Sequence, residues 1–122
     1  MRYMLLMYRD EQWWNGKLEK EERAAIRQQA VDRSAELRAR GIFLAGDPLL
    51  PAGTATTVRM RNGKPVATDG PFAETKEQLG GYTIVEAASL DEARAIALDH
   101  PLLRVGGHSI EIRAIRELPP TR

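Results

Sequence analysis

Apolar residues occur in this chain either in short runs, which are typical of strands, or at helical spacing. The order in which these two patterns follow one another predicts the order of the secondary-structure elements. The short apolar run from Tyr3 to Tyr8 predicts a buried strand. Residues 17–40 contain neither Pro nor Gly and are rich in residues that favour helix. Ile26, Ala30 and Leu37 follow helical spacing within this segment, which therefore predicts a long helix.

A β-hairpin is predicted in the middle of the chain. Asn62-Gly63 stands between two strand-like runs, residues 56–61 and 64–68. This dipeptide is the strongest local hairpin signal, because a type I′ turn needs a positive φ angle at both central residues. The remaining predicted elements are a strand over 42–45, a strand over 81–87, a helix that begins at the capping box Ser89–Glu92 and ends at Pro101, and a strand over 109–117.

These elements follow one another as β-α-β, hairpin, β-α-β. Without the hairpin, this order is the split βαβ pattern of a ferredoxin-like α+β domain, in which two helices cover one face of an antiparallel sheet. The first strand is apolar on both faces, because Tyr3, Leu5 and Met7 alternate with equally apolar neighbours. A sheet with two apolar faces needs a second covering layer. We therefore expect a homodimer with the two sheets face to face, which is a dimeric α+β barrel.

Length and charge narrow the class of protein. The 122 residues fit one domain, which we expect over residues 1–118, followed by a frayed tail over residues 119–122. The 18 basic and 17 acidic residues give a net charge of +1, which argues against a nucleic-acid-binding protein. The chain has no cysteine, which excludes a disulfide and a thiolate nucleophile. The first apolar run is too short for a signal peptide or a membrane span, so we expect a cytoplasmic protein with no membrane partner.

We expect no metal site and no cofactor. The two histidines are not spaced as HxH, HxxxH or HExxH, the arrangements typical of zinc ligands. The chain also lacks the glycine patterns of nucleotide-binding loops. Gly80-Gly81 precedes a predicted strand, whereas such phosphate sites lie at the beginning of a helix.

The segment from Asp69 to Tyr82, DGPFAETKEQLGGY, has the most unusual composition in the chain. Asp69 has two interpretations. It is a general base or substrate anchor at the mouth of a cleft, or it caps the turn with its side chain, as Asp does before Gly-Pro. The preference of tight turns for Asp, Gly and Pro accounts for residues 69–71. It does not account for the charged run that follows, residues 74–77. For this reason we predict a small-molecule site at this loop.

The rest of the segment supplies the predicted substrate-binding residues. Glu74, Lys76 and Glu77 form a rim that recognises a polar or anionic ligand, or they belong to a solvated turn whose ion pairs contribute little. Phe72 is predicted to fill the same cleft, and Tyr82 to border it.

Histidines and tryptophans are the other side chains able to line a site. His100 ends the second helix, where the helix dipole stabilises a cation, or it is a catalytic proton shuttle that works with Asp69. His108 is expected at the surface. Trp13 and Trp14 precede the long helix, and they either line an apolar cleft or pack against the helix or the dimer partner.

Several segments carry a resemblance to a known family. They are Asp69-Gly70-Pro71-Phe72 with its continuation to Gly80-Gly81-Tyr82, the opening YMLLMY, Gly46-Asp47-Pro48-Leu49, Thr56-Thr57-Val58-Arg59, His100-Pro101 and Ile110-Glu111-Ile112-Arg113. Through these segments, nearly the whole chain resembles the YCII-related proteins, in the branch named after its DGPF motif. The resemblance implies a ferredoxin-like dimeric α+β barrel, in agreement with the order of elements.

The resemblance also implies two hypotheses for function. A few relatives in the wider group are dehalogenases or lyases of small ring compounds with a His–Asp pair, which implies a small-molecule-binding protein or an enzyme of lyase, isomerase or dehalogenase type. Its ligand would be a small organic acid or ring compound, and Asp69 and His100 would lie near one pocket. Members with the motif often accompany extracytoplasmic-function sigma factors, which implies an accessory protein that binds a protein partner through an exposed apolar patch. In a third interpretation the DGPF loop only builds the dimer.

Overall fold

The computed structural model describes residues 1–120. Within this range the strands are β1 (Arg2–Arg9), β2 (Phe43–Pro48), β3 (Thr56–Arg61), β4 (Lys64–Asp69), β5 (Gln78–Glu86) and β6 (His108–Ala114). The α-helices are α1 (Glu11–Lys17), α2 (Lys20–Ala39) and α3 (Leu90–Leu98), and 3-10 turns lie at Ala52–Thr54 and Pro101–Val105. The tail predicted over residues 119–122 has no regular secondary structure at Pro119 and Pro120, and its last two residues lie outside the described range.

The main sheet confirms the predicted ferredoxin-like α+β fold. Its strands lie in the order β2-β5-β1-β6, and every neighbouring pair is antiparallel. This order is the one that a split βαβ repeat produces when each helical crossover returns to the same face of the sheet. The hairpin β3–β4 forms a separate two-stranded sheet, and its turn has positive φ angles at Asn62 and Gly63, as the Asn-Gly signal predicted.

The helix layer contains one element that we did not predict. Residues 11–17, of which 11–16 precede the predicted long helix, form α1 because the Asp10 carboxylate accepts a hydrogen bond from the backbone N–H of Trp13 at 3.1 Å. This side chain is an N-cap, which satisfies a backbone donor that a helix start otherwise leaves unpaired. No helix within the described range is long and apolar enough to cross a membrane.

The central strand β1 extends one residue beyond the apolar run at its carboxyl end. Arg9 is paired with His108 of β6 on one side and with Gln78 of β5 on the other. Side chains alternate between the two faces of a strand, so Arg9 lies on the same face as Leu5 and Met7. A charged residue therefore occupies the last position of the face that the helices cover.

The core lies between this face and the helices, and it has two parts. The first contains the buried residues Tyr3, Leu5, Val85, Ala87, Ala93 and Ala97. The second contains Trp14, Ile26 and Leu102 and lies where β1, α1 and α2 meet. Each large apolar side chain that is fully buried contributes about 1.5–3 kcal/mol to stability.

The opposite face of the sheet is also apolar, as predicted. Met4 pairs with Ile84 and Leu6 with Tyr82, and these side chains stay half-buried in the single chain. Half-buried apolar side chains in register across two strands form a surface that a second layer can cover. The homodimer remains a prediction, because only one chain is described.

Candidate functional site

The Asp69–Tyr82 loop leaves the hairpin at the end of β4 and enters the main sheet with β5. The turn after β4 is held by the backbone of Gly70, whose N–H donates to the Ala55 carbonyl at 2.7 Å. The Gly70 carbonyl in turn accepts from the Thr57 hydroxyl at 2.9 Å. The exposed Asp69 carboxylate takes part in neither bond and has no hydrogen-bond partner within residues 1–120. The turn therefore does not depend on an aspartate cap.

The rest of the loop is shaped by its own hydrogen bonds. The Gln78 side-chain amide donates to two loop carbonyls, at 3.0 and 3.1 Å, and the Thr75 hydroxyl donates to the Glu77 carbonyl at 2.6 Å. Glu74 and Lys76 are exposed, and neither makes a hydrogen bond or ion pair within the part of the chain that the structure describes. The loop has a defined shape, and these two charges contribute nothing to it.

Phe72 and Tyr82, predicted to share a cleft, lie in different surroundings. Phe72 is 81% exposed, and the Arg59 guanidinium lies 5.6 Å from the centre of its ring. Tyr82 lies on the open face of the sheet, where its hydroxyl donates to Asp47 Oδ2 at 3.0 Å. This hydrogen bond raises the pKa of Tyr82. The structure does not bring the two rings to one cavity.

His100 lies in the helix layer, at the start of the 3-10 turn that follows α3. Its Nδ1 accepts a hydrogen bond from Leu102 N at 3.1 Å, so the imidazole caps this turn and carries its proton on Nε2. Burial lowers the pKa of His100 to about 4, and the nearby Arg33 cation acts in the same direction. The imidazole is therefore neutral at pH 7, and its basic nitrogen is already engaged.

The cavity beside His100 is small. Its volume of about 20 Å³ is enough for a single water molecule. Asp69 is not among the lining residues, and no hydrogen bond or ion pair within residues 1–120 joins Asp69 to His100. The structure does not bring the predicted catalytic pair together, and the catalytic roles of both residues remain predictions.

A cluster that we did not predict lies at the carboxyl end of β1. We call Arg9, Trp14, Arg27 and His108 the arginine–tryptophan cluster. The Arg9 Nε–H donates to His108 Nε2 at 2.9 Å, and His108 Nδ1–H donates to the Gly106 carbonyl at 2.8 Å. The guanidinium groups of Arg9 and Arg27 lie 4.3 and 5.4 Å from the centre of the Trp14 ring. The cluster thus combines two cations, a neutral imidazole and an indole.

The cluster carries an excess of positive charge. Burial lowers the pKa of Arg9, and the Arg27 cation lowers it further, whereas Glu11 acts in the opposite direction. The Glu11 carboxylate instead accepts a hydrogen bond from Ala52 N at 2.8 Å. No carboxylate within residues 1–120 forms an ion pair with Arg9 or Arg27. Nor do the described His, Asp and Glu side chains form any group of three that could hold a metal ion.

The two tryptophans have packing roles at this site. Trp14 is 2% exposed, and its Nε1–H has no acceptor among the described residues. The Trp13 ring lies against Gly106 and Gly107, and a Cβ on Gly107 would approach Trp13 Cε3 to 2.7 Å. That distance is shorter than real contacts, so the glycine pair before His108 makes room for Trp13. Both rings therefore pack within the helix layer, Trp14 fully and Trp13 with part of its surface exposed.

The Asp69–Tyr82 loop meets the cluster at one point. Glu77 Oε1 accepts a hydrogen bond from the Ser109 hydroxyl at 2.7 Å. This bond connects the last charged residue of the loop to β6, next to His108. Burial lowers the pKa of the neighbouring His108, and Glu77 acts in the opposite direction. His108 is therefore half-buried and part of the cluster, not the surface residue that we expected. Of the predicted binding residues, Glu77 is the one that reaches this cluster.

Strand alternation is the signal from which Arg9 and His108 could have been found. Arg9 continues the covered apolar series of β1, and His108 stands directly opposite it at the start of β6. Charged side chains are seldom buried without a partner, so a charge in line with core residues is informative. The contributions of Arg27 and Glu77 have no comparable signal, because they reach the cluster from a helix and from a loop.

Comparisons with known proteins agree with the fold. A family model described as the YCII-related domain matches residues 1–119. An uncharacterized protein of Rhizobium meliloti (strain 1021) is 33% identical over 120 residues, which are 98% of this chain and 96% of that protein. The structure of 5-chloro-2-hydroxyhydroquinone dehydrochlorinase from Burkholderia phenoliruptrix AC1100, in complex with 2,5-dihydroxybenzoquinone, is similar with a TM-score of 0.60. That similarity covers 95% of this chain and 94% of the other, at 17% identity.

These similarities differ in what they establish. The structural similarity, at 17% identity, shows a shared fold alone. The family match extends over nearly the whole chain, and the Rhizobium protein is similar over nearly its whole length. This chain therefore belongs to the YCII-related domain family.

Proposed function

We propose that this protein binds a small organic acid or ring compound beside the Asp69–Tyr82 loop, as an enzyme of lyase, isomerase or dehalogenase type. The observation that carries the proposal is the construction of this loop. Its own hydrogen bonds determine its shape, while Asp69, Glu74 and Lys76 are exposed and unpaired within the described range. Charges that do not stabilise a loop are available to a ligand. Asp69 is the proposed base or anchor of this ligand.

The structural neighbour supports this class of ligand. It is named as a dehydrochlorinase of 5-chloro-2-hydroxyhydroquinone, and its structure contains 2,5-dihydroxybenzoquinone, a small ring compound. Proteins of one fold carry different side chains at their sites, so only the ligand class is taken from this neighbour. Within the family we place the chain in the branch with the DGPF motif, since Asp69-Gly70-Pro71-Phe72 opens the proposed loop.

A thermal-shift screen tests the proposal. Purified protein is heated with small carboxylates, lactones and phenolic acids, in parallel with the variants Asp69→Asn and Lys76→Gln. A compound that binds only the folded protein raises its melting temperature. The matched control is Lys64→Gln, which removes an exposed lysine at the far end of the hairpin. We expect stabilisation of the wild type and of the control, and weaker stabilisation of the loop variants.

Two results would count against this proposal. If no compound stabilises the wild type, the protein has no site for these ligand classes. If a compound stabilises Asp69→Asn and Lys76→Gln as well as the wild type, the loop is not the site. Assays of turnover with the stabilising compounds, with and without His100→Asn, then decide whether binding leads to chemistry.

We further propose that the protein is a homodimer that covers the open face of the sheet. The half-buried side chains of Met4, Leu6 and Ile84 support this interface. Light scattering after size-exclusion chromatography is expected to give the mass of a dimer for the wild type. Leu6→Glu is expected to give a monomer, because a charge in an apolar interface is costly. The control Leu98→Glu places the same charge on the exposed surface of α3 and is expected to stay dimeric.

A second candidate function is an accessory protein that binds a protein partner, such as a sigma factor, without chemistry. The observation that favours it is one face of the hairpin, where Val58 and Met60 are 66% and 65% exposed. Exposed apolar patches often mark contacts between proteins. Calorimetry with a purified extracytoplasmic-function sigma factor tests this candidate. Binding that disappears in the double variant Val58→Ser and Met60→Ser supports it, and absence of binding contradicts it.

A further inference from the structure

Arg9 is a half-buried cation whose hydrogen-bonding capacity is largely unused. A guanidinium has five N–H donors. The Nε–H of Arg9 donates to His108, and the terminal amino groups have no acceptor within residues 1–120. Removing a cation from water is costly unless a carboxylate or several acceptors replace the solvent. The protein supplies one imidazole nitrogen and an indole ring, which is an incomplete replacement.

His108 fixes the direction of this guanidinium. Its Nδ1–H donates to the Gly106 carbonyl, so its Nε2 is the nitrogen that accepts from Arg9. The imidazole ring also stands edge-on to Trp14, with the ring centres 5.2 Å apart. With Nε held by His108 and the ring of Trp14 against its face, Arg9 keeps its two terminal amino groups, with four N–H donors, for another partner. A pre-oriented guanidinium of this kind matches the two oxygens of a carboxylate.

The charges around Arg9 also favour an anion. Arg27 is exposed at the edge of the cluster and adds a second positive charge beside the same indole. The two nearby acids are engaged elsewhere, Glu11 with Ala52 N and Glu77 with the Ser109 hydroxyl. An anion in the cluster would offset the repulsion between the two guanidinium groups.

We propose that the arginine–tryptophan cluster binds the carboxylate group of a small organic acid, with Arg9 as the bidentate partner and Arg27 as the second cation. This inference rests on the proposed function and deepens it. It identifies a carboxylate as the group by which the ligand is anchored, and the end of β1 as the place where it is anchored. The loop then reaches the rest of the ligand from the side of Glu77.

An organic acid fits this position better than an inorganic anion. Met7, Leu18 and Val105 are partly buried and pack against the core group that contains Trp14. Trp13 adds a half-buried aromatic ring on the glycine pair before His108. Apolar side chains next to a guanidinium offer contacts to the carbon atoms of a ligand, and inorganic phosphate has none.

Calorimetric titration at low ionic strength with three probes tests this site. The probes are benzoate, its neutral isostere benzamide, and inorganic phosphate. The variants are Arg9→Gln and Arg27→Gln, with Arg38→Gln as the matched control. Arg38, like Arg27, lies on α2, and its guanidinium is 4.5 Å from the centre of an aromatic ring, that of Phe43, over which no second guanidinium of the described residues lies.

The expected result is a pattern across probes and variants. Benzoate binds the wild type and Arg38→Gln with the same affinity, and benzamide and phosphate bind at least about tenfold more weakly. Arg9→Gln weakens benzoate binding at least about tenfold, because it removes charge-assisted hydrogen bonds. Arg27→Gln weakens it by roughly two- to fivefold, because this cation is exposed and screened.

Three results would overturn the inference. They are benzoate binding that is unchanged in Arg9→Gln, benzamide binding equal to that of benzoate, and phosphate binding equal to that of benzoate. If Arg9→Gln does not fold, the test rests on Arg27→Gln, which changes an exposed residue. Benzoate affinity that is unchanged in Arg27→Gln then counts against the site.

The same titrations, repeated with Asp69→Asn, Lys76→Gln and any compound from the thermal-shift screen, separate this inference from the proposed function. A neutral ligand that depends on Asp69, without any binding of benzoate, would leave the loop function intact and overturn the anion site. Benzoate binding that depends on Arg9 but not on Asp69 or Lys76 would support the anion site and remove the loop from the function.

Discussion

Two arginines with half-buried side chains, one on the central strand and one on the long helix, differ in what surrounds them. Arg33, on α2, donates to a backbone carbonyl of α3 at 2.7 Å and lies 3.6 Å from the Asp99 carboxylate. Arg9, on β1, donates to the neutral His108 and lies close to a second cation, Arg27. Burial lowers the pKa of both guanidinium groups. The next-largest effect at Arg33 is the opposing Asp99 carboxylate, whereas at Arg9 it is the Arg27 cation, which lowers the pKa further. Both cations are half-buried, but of the two only Arg33 has a carboxylate partner within residues 1–120.

This difference distinguishes an arginine that stabilises the fold from an arginine that is available to bind a ligand. The contacts of Arg33 join α2 to the end of α3, and such contacts stabilise the layer without any further molecule. The contacts of Arg9 orient the guanidinium but leave its charge uncompensated. Ionisable groups with perturbed surroundings are found preferentially at functional sites. The absence of a carboxylate partner for Arg9 within residues 1–120 is therefore the more informative of the two observations.

The largest effect is expected next to Arg33, through His100. Burial lowers its pKa from 6.5 to about 4, so between these values the unfolded chain binds a proton that the folded chain does not. Stability is therefore expected to fall as the pH falls from 6.5 to 4, by up to about 3 kcal/mol. His100→Asn keeps a capping oxygen and does not titrate, so its urea unfolding is expected to depend less on pH in this window. Equal pH dependence in both proteins would mean that His100 is not the group responsible.

Replacing each arginine by methionine tests the comparison directly. Arg33→Met leaves the Ile96 carbonyl without its donor and removes one of the two cations beside Asp99, the other being Arg104. We expect the free energy of unfolding to fall by about 2 kcal/mol. Arg9→Met keeps much of the packing on Trp14 and removes the repulsion with Arg27, and we expect a loss of about 1 kcal/mol or less. Urea denaturation at pH 7 measures both. If Arg9→Met lowers the free energy of unfolding as much as Arg33→Met does, Arg9 stabilises the fold in the same way and the two arginines no longer differ.

The smallest effect on stability is expected at the contact between loop and cluster. Glu77→Gln keeps an acceptor for the Ser109 hydroxyl and lies at the surface, so unfolding is expected to change by less than about 0.5 kcal/mol. Removal of this negative charge beside His108 is nevertheless expected to strengthen benzoate binding about twofold, as for other exposed charges. Weaker benzoate binding in Glu77→Gln would mean that the loop, and not the charge balance of the cluster, holds the carboxylate.

Local signals in the sequence predicted most of the fold. The hairpin turn, the long helix and the order of strands followed from Asn62-Gly63 and from apolar spacing, each over a few residues. The helix α1 was missed although Asp10 is a common N-cap residue, because α1 is short and its apolar content is two adjacent tryptophans. Glu74 and Lys76 were singled out in the sequence because a turn does not require their charges. In the structure both are exposed, and neither is paired within the described range.

The sequence by itself determined the α+β order, the apolar character of both sheet faces and the unusual loop, because these depend on the period of side chains along a strand or helix. Only the tertiary structure decided that Arg9 meets His108, which is 99 positions away, and that Arg27 lies beside the same indole. It also decided that the small cavity beside His100 is not lined by Asp69. The physical reason is that strand pairing and helix packing, not neighbourhood along the chain, determine which charges are removed from water together.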